Sequence, residues 1–371
     1  MQKKTLLYIF AAAAFLGLVL GAGFFANEVR LKIIQGPDEN QFSLEDGQEI
    51  KSLNPKYTNQ AVPPKNTSVP PLPTGQPKEN LPAPAANPEV DTSPELKKED
   101  NKNDSFSFAV IGDTQRFDPN KADGNLQKAV KNITSKNVDV VMAEGDLLSS
   151  CDGKSNCEKG LSDWKNILGS LYPKTYEIMG NHDRAGADKS DVLWQKFFEL
   201  PQNSPEGYQE LAYSFDFGNS HFVVLNSEKP SEHTVDKNQR DWLEKDLKDN
   251  KKDNSFVFFH EPSYPVSNKI GSSLDVKPED RDALWEILKK YKVTGVFNGH
   301  ENIASRKKVD DIYQFVFGNT DAYDHELPKA GEADYSYQGK NYGIVEVKGK
   351  EVTVNVYSTD GSLQDAFKIP N

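Results

Sequence analysis

Five short polar clusters carry the residues that could do chemistry: Gly112-Asp113-Thr114-Gln115, Gly145-Asp146, Gly180-Asn181-His182-Asp183, His260-Glu261-Pro262 and Gly299-His300-Glu301-Asn302. Hard oxygen donors come from Asp113, Gln115, Asp146, Asn181 and Asn302, and borderline imidazoles from His182, His260 and His300. That mixture suits Mn, Fe, Zn or Mg ions better than a thiolate-selective metal. Two carboxylates with several neutral ligands are enough for two cations, one carboxylate bridging both. Two such ions can clamp the attacking and leaving oxygens of a phosphoryl transfer and acidify a water. Taken singly, a strand-end Asp or Asn is a turn or capping residue, and a His is a satisfied, partly buried group. Five clusters in series are not explained that way.

Something must bring the clusters together, and the elements before them can. Short apolar runs over 106–111, 138–143, 175–179, 255–259 and 294–297 read as buried strands, each ending at one cluster. Helical periodicity over 126–134, 192–200, 239–247 and 278–290 falls between them, which is the pattern of an α/β fold. Sites in open α/β sheets form outside the carboxyl ends of the strands, so the five clusters should converge. In four of them a glycine precedes the polar residue and lets the backbone turn sharply. Residues 213–226, around Gly218-Asn219, and 342–357, around Gly349, alternate as hairpins. Antiparallel hairpins beside parallel strands imply a mixed sheet or two stacked sheets.

The ordered set GDTQ, GD, GNHD, a strand-terminal His and GHEN resembles the calcineurin-like metallophosphoesterase superfamily over residues 106–317, with GNHD its most specific element. The resemblance implies a four-layer α/β/β/α sandwich with a dinuclear site between the loops. By the same likeness Asp113 binds the first metal, Asp146 bridges both, and Asn181, His260 and His300 complete the second. His182 would act near the leaving-group oxygen, with Asp183 orienting it. Two residues depart from the superfamily pattern: Gln115 and Asn302 stand where His is usual, and both belong to the first metal. An amide oxygen is a weaker and harder ligand than imidazole, so the first position should bind less tightly and lean toward Mg or Mn. The paired change leaves a mononuclear or inactive domain open as well.

The rest of the chain says where this chemistry would happen. Lys3 and Lys4 precede an uncharged, apolar stretch over 5–26, which as a helix rising ~1.5 Å per residue reaches across a hydrocarbon core of roughly 30 Å. Residues 1–26 read as an uncleaved signal anchor, the alternative being a cleaved signal peptide; both send the remainder out of the cytoplasm. Half of the 22 prolines fall between Pro55 and Pro94, so residues 27–103 read as a disordered, semi-stiff spacer. That leaves 104–371 as one folded domain. A net charge of −12 speaks against a nucleic-acid partner, which would need Lys and Arg for backbone phosphates.

Cys151 and Cys157 lie in a short polar stretch after Asp146, and in an oxidising compartment they read as a local disulfide at the rim of the site. The segment 319–342 holds Tyr323, His325, Tyr335 and Tyr337, and reads either as one wall of a substrate pocket or as a solvated excursion. Arg116 is the guanidinium nearest the first cluster and could pair a phosphate. His221 and His233 read as structural or surface groups. Two functions follow: an extracytoplasmic hydrolase of phosphate mono- or diesters, or a binding scaffold that kept the fold and lost turnover. The intact His182-Asp183 pair favours the enzyme, since a scaffold needs no leaving-group acid.

Overall fold

A computed structural model describes residues 104–151, 157–184 and 190–370. The expected anchor over 1–26 and spacer over 27–103 lie outside the described residues. No helix among the described residues is long and apolar enough to cross a membrane.

Two mixed sheets form the folded part. The first combines β1 (Ser105–Ile111), β2 (Val140–Ala143), β3 (Thr175–Glu177), β11 (Asn341–Lys348), β12 (Glu351–Ser358) and β13 (Leu363–Lys368) in the order β13-β12-β11-β1-β2-β3. The second contains β4 (Tyr213–Phe217), β5 (Ser220–Val224), β6 (Asn254–Phe258), β7 (Gly295–Asn298), β8 (Ala304–Val309), β9 (Ile312–Phe317) and β10 (Tyr335–Tyr337) in the order β10-β8-β9-β7-β6-β5-β4. β1, β2 and β3 run parallel, as do β5, β6, β7 and β9, so the chemistry-bearing strands of each sheet finish at a common edge. Both expected hairpins form, as β4–β5 and β11–β12.

The alternation along β1 points Phe106 and Phe108 at the second sheet. There Phe108 meets Phe222, Phe256, Phe258 and Phe297 with ring centroids 5.1 to 6.1 Å apart. Such edge and tilted contacts join the faces through buried aromatic area. On its other face the second sheet packs Val223, Val257 and Val296 against α4 (Lys237–Asp249) and α5 (Pro278–Lys290), through Leu243, Leu247, Leu284, Trp285 and Leu288. Asp236 caps α4 by accepting from the Gln239 amide at 3.0 Å. Pro278 opens α5 with Glu279 and Asp280 in its first turn, and Lys289 and Lys290 close it, matching the helix dipole.

α1 (Asn125–Ser135) and α3 (Ser190–Phe197) fall where the periodicity places them, but α2 (Cys157–Leu168) corrects the sequence reading. Cys157 opens a helix rather than lying in a polar loop. Leu161, Trp164 and Leu168 supply its buried face at helical spacing, and Trp164 Nε1 donates to Thr114 Oγ1 at 3.0 Å, beside the first cluster. The Cys151–Cys157 disulfide is present and ties the start of α2 to the chain that leaves Asp146. The segment 319–342 is also more ordered than a solvated excursion. Asn319 and Thr320 are fully buried, and Asp321 accepts from the Leu126 amide and the Asn125 side chain at the start of α1. Its tyrosines Tyr335 and Tyr337 lie on β10, paired with β8.

His221 proves structural. Its Nδ1 lies 2.7 Å from Asp216 Oδ1 and its Nε2 2.8 Å from Asp246 Oδ2, bridging β4 to α4. Burial alone would lower its pKa, but the two carboxylates outweigh burial and push it up to about 9. A histidine raised above its unfolded value of about 6.5 stabilises the fold fully below that value and loses the contribution as pH rises through about 9. We expect urea midpoints to fall across that window by an amount worth ~2 kcal/mol, discounted from the full shift because Asp216 is half-exposed. His221→Gln should flatten the decline, and an unchanged pH profile in that variant would defeat the assignment.

Candidate metal centre

The five clusters meet at the shared edge of the two sheets. β1 delivers Asp113, β2 delivers Asp146, and the turn after β3 delivers Asn181 and His182. β6 and β7 deliver His260 and His300. Backbone bonds lock the loops together: the Asp113 amide donates to Gly145 O at 3.1 Å, Thr114 to Asp146 O at 3.0 Å and Gly299 to His260 O at 3.0 Å. Asp113, Asp146, His300 and Asn302 all adopt the left-handed backbone region, with φ of 51°, 51°, 69° and 51°. Such strain in non-glycine residues persists only where surroundings over-determine it, and it concentrates at functional sites. No side chain fits at Gly180, where a Cβ would overlap both the Asp146 carboxylate and the Asp146 backbone nitrogen.

Asp146, Asn181, His260 and His300 form one tight group. Candidate ligand atoms of Asp146, His260 and His300 all lie within 4.8 Å of one another. Asn181 Oδ1 is 3.1 Å from His260 Nε2 and 3.0 Å from His300 Nδ1, and Asp146 Oδ1 is 3.3 Å from His260 Nε2. The far ring nitrogens are anchored on carbonyls: His260 Nδ1 on Glu144 O at 2.6 Å, and His300 Nε2 on Ser272 O at 2.8 Å. Anchoring of this kind fixes the tautomer of a ligating histidine. Neutral rings that donate to those carbonyls turn their remaining lone pairs onto the oxygens of Asp146 and Asn181. Lone pairs facing lone pairs are repulsive unless a cation or a proton lies between them, so the donor set fits a divalent ion.

The carboxylates and imidazoles of this group also perturb one another. Burial would raise the Asp146 carboxyl, but the charges of His260 and His182 hold it well below the usual range. Burial would lower His260, yet Asp146 and Asp113 hold it well above its ordinary value. His300 is driven well below its ordinary value by burial, Lys269 and His260, so it stays neutral.

The other sequence-expected residues lie around Asp113. That carboxylate is fully buried, which pushes its pKa well up, and its Oδ2 accepts the His300 amide at 2.9 Å. Gln115 Oε1 is buried with no hydrogen-bond partner, as expected of an oxygen left for a ligand. Asn302 packs against Asp113 Oδ1, Gly318 O and His325 Nε2. One end of the amide lies 3.0 Å from both Asp113 Oδ1 and Gly318 O and the other 3.1 Å from His325 Nε2, and the tautomer of His325 decides which end is the nitrogen.

His182 and Asp183 separate. The ring of His182 is about one-quarter exposed, its Nδ1 sits 2.8 Å from Ser149 O and its Nε2 3.9 Å from Asp146 Oδ2. Asp183 does not orient that ring: its carboxylate accepts from the amides of Leu147, Leu148 and Gly180. Burial and the charge of Asp146 push its pKa up to about 7. The reason is local geometry, because a short 3-10 turn over Asn181–Asp183 points adjacent side chains in different directions. At the rim, Arg116 stacks 3.4 Å above the Tyr323 ring. Four partners escaped the sequence reading. Ser149, Ser272 and Glu144 act through backbone carbonyls, which no residue type announces. Lys269, whose charge reaches Asp113 and His300, carries no motif.

The calcineurin-like phosphoesterase family model matches residues 106–304, more than half of the chain and all five clusters. The chain belongs to the calcineurin-like phosphoesterase family. It is 29% identical over 146 residues to purple acid phosphatase 13 of Arabidopsis thaliana, covering 38% of this chain and 26% of that protein. It is 24% identical over 222 residues to tartrate-resistant acid phosphatase type 5 of Oryctolagus cuniculus, covering 53% and 66%. The chain thus spans about a quarter of the first relative's length and about two thirds of the second's. Its fold matches that of purple acid phosphatase PPD1 from yellow lupin with a TM-score of 0.60 at 17% identity, over 72% of this chain and 54% of that one.

Proposed function

We propose that the phosphoesterase hydrolyses phosphate mono- or diesters outside the cytoplasm, tethered to a membrane by residues 5–26 or released if that segment is cleaved. The observation that carries the chemistry is the convergence of Asp146, Asn181, His260 and His300 with anchored rings and opposed lone pairs. The disulfide supports an oxidising compartment. The reading includes the four-layer α/β/β/α arrangement, with the site across the edges of both sheets.

When bound, two divalent ions (Mn, Fe, Zn or Mg) supply positive charge for the phosphoryl oxygens and lower the pKa of the attacking water. This chain's residues do the rest. Asp146, Asn181, His260 and His300 would hold one ion, and Asp113, Gln115 and Asp146 the other, with Asn302 beside Asp113. His182, steadied by Ser149 O, would hold a proton for the leaving oxygen, and Asp183 would fix the Leu147–Leu148 backbone that carries Asp146. Arg116 and Lys269 would receive the remaining phosphate charge.

The competing reading, a scaffold without turnover, draws on Gln115 and Asn302, amides where imidazoles are usual. The full chain, stripped with chelator and reloaded with each ion, should hydrolyse members of a panel of phosphate mono- and diesters only when metal is present. Silence on the whole panel at full metal occupancy would favour the scaffold instead.

A further inference from the structure

We propose, resting on the phosphoesterase reading above, that Tyr323 is a positioning residue for Arg116 and that the stacked pair makes the site select phosphate monoesters over diesters.

Arg116 is the arginine that the fold leaves without an anionic or carbonyl partner. Among the described residues the other guanidinium groups are engaged: Arg184 donates to Glu228 O and Pro230 O, Arg240 pairs with Asp280, Arg281 with Asp282 and Arg306 with Asp365. The Arg116 guanidinium makes no hydrogen bond and no ion pair among the described residues, and its contact is the Tyr323 ring, 3.4 Å away. The acids nearest the pair in sequence are taken by other donors. Asp118 accepts from the Asn120 amide, Asp321 from Leu126 and Asn125 at the start of α1, and Asp324 from Asn319 and Lys340. In a chain with 56 acidic residues against 44 basic ones, a guanidinium kept clear of carboxylates one residue after Gln115 is suited to an anionic ligand.

The pair is held on the Asp113 side of the site from both directions. The Arg116 amide donates to Asp321 O at 2.9 Å, and the Asp321 amide donates to Asp113 O at 3.0 Å. Two residues beyond Tyr323, the His325 ring meets Asn302 and Glu301 O. Buried Asn319 closes the turn between these points: its Oδ1 accepts the Ala322 amide at 3.2 Å and its Nδ2 donates to Asp324 Oδ1 at 2.7 Å. Tyr323 therefore has a fixed backbone although the residue is 39% exposed. An aromatic ring beneath a guanidinium covers one face of its plane and leaves the N–H edge open. That edge is the part that matches a phosphate with two parallel bonds.

The selection follows from charge and oxygen count. A phosphate monoester carries roughly −1.5 to −2 charge near pH 7 and keeps three unesterified oxygens. A diester keeps a single charge and two such oxygens. With two oxygens turned toward the ion positions, a monoester still has a charged oxygen for Arg116, whereas a diester has only an ester oxygen to offer. A fork fixed by Tyr323 exploits that difference better than a freely rotating side chain, because less freedom is lost when the bonds form.

The test compares an aryl phosphate with the diester of the same phenol, using the full chain at full Mn occupancy, and measures calorimetric binding of inorganic phosphate to the same Mn-loaded protein. Arg116→Gln should lower the monoester-to-diester ratio of kcat/KM by roughly 10-fold or more and weaken inorganic phosphate by a similar factor, since a charge-assisted pair is lost. Tyr323→Leu should lower both by about 2- to 5-fold, the worth of an exposed cation–π contact, and Tyr323→Phe, which keeps the ring, should restore both. A merely structural role for the turn would slow both esters together. An unchanged ratio in Arg116→Gln, or a Tyr323→Phe variant no better than Tyr323→Leu, overturns the proposal while the phosphoesterase reading stands. So does a wild-type chain that cleaves the diester and leaves the monoester untouched. A wild-type chain that cleaves neither ester at full occupancy overturns both.

Discussion

Asp146→Ala should abolish phosphate-ester hydrolysis and strip bound metal, and His300→Ala should do the same. Asp146 is the carboxylate of the tight group: Oδ1 meets His260 Nε2 at 3.3 Å and accepts the His182 amide at 2.9 Å, and Oδ2 faces His182 Nε2 at 3.9 Å. His300 presents Nδ1 to the same point with its far nitrogen pinned on Ser272 O. Removing an outer partner of a metal ligand costs about 10- to 100-fold, so loss of a direct donor should exceed ~10³-fold. Elemental analysis of the purified variants beside turnover on a simple aryl phosphate gives the measurement. Normal activity in either variant would end the metal reading of this site.

The second large effect belongs to His182. Its ring is partly exposed, unlike those of His260 and His300, and its Nδ1 is anchored on Ser149 O, which aims Nε2 at the rim above Asp146. That is the placement of a group that passes a proton rather than one that binds an ion. His182→Ala should therefore retain its metals and slow hydrolysis by roughly 10²- to 10⁴-fold on esters with poor leaving groups. Esters whose leaving group departs without a proton should lose far less. Equal losses on both kinds of ester would assign His182 to positioning phosphate instead.

Much of this site could be read from the chain because ligands at strand ends inherit the regularity of the strands. Once residues 106–111 or 294–297 are seen as buried strands, Asp113 and His300 have to emerge at one edge. The strand reading at 255–259 likewise placed His260. The order of the sheets was not readable, since β11 comes from 230 residues later in the chain to sit beside β1; such long-range pairing leaves no local trace. β8 hid because its apolar alternation is broken by the consecutive charges of Arg306, Lys307 and Lys308. α2 hid because polar residues crowd its start, although Leu161, Trp164 and Leu168 carry the helical period. At the site the limit was different. Residue types told which side chains could bind, but the partners that aim them are mostly carbonyl oxygens, which every residue has. The Asn302 amide shows the same limit, because its two faces look alike in sequence and are opposite in chemistry.

The left-handed backbone at Asp113, Asp146, His300 and Asn302 narrows the alphabet at these positions twice, once for the donor atom and once for the torsion. Asn and Asp, whose short polar side chains tolerate that torsion, satisfy both filters, and β-branched residues fail the second whatever their chemistry. Substitution tables for this family would therefore mix two kinds of failure under one phenotype. Exchange of Asp for Asn leaves the torsion comfortable and tests charge alone, whereas Val or Thr at the same place would first be rejected by the peptide bond geometry. Drift at the centre is channelled along the Asp–Asn axis, and Asn302 stands on it.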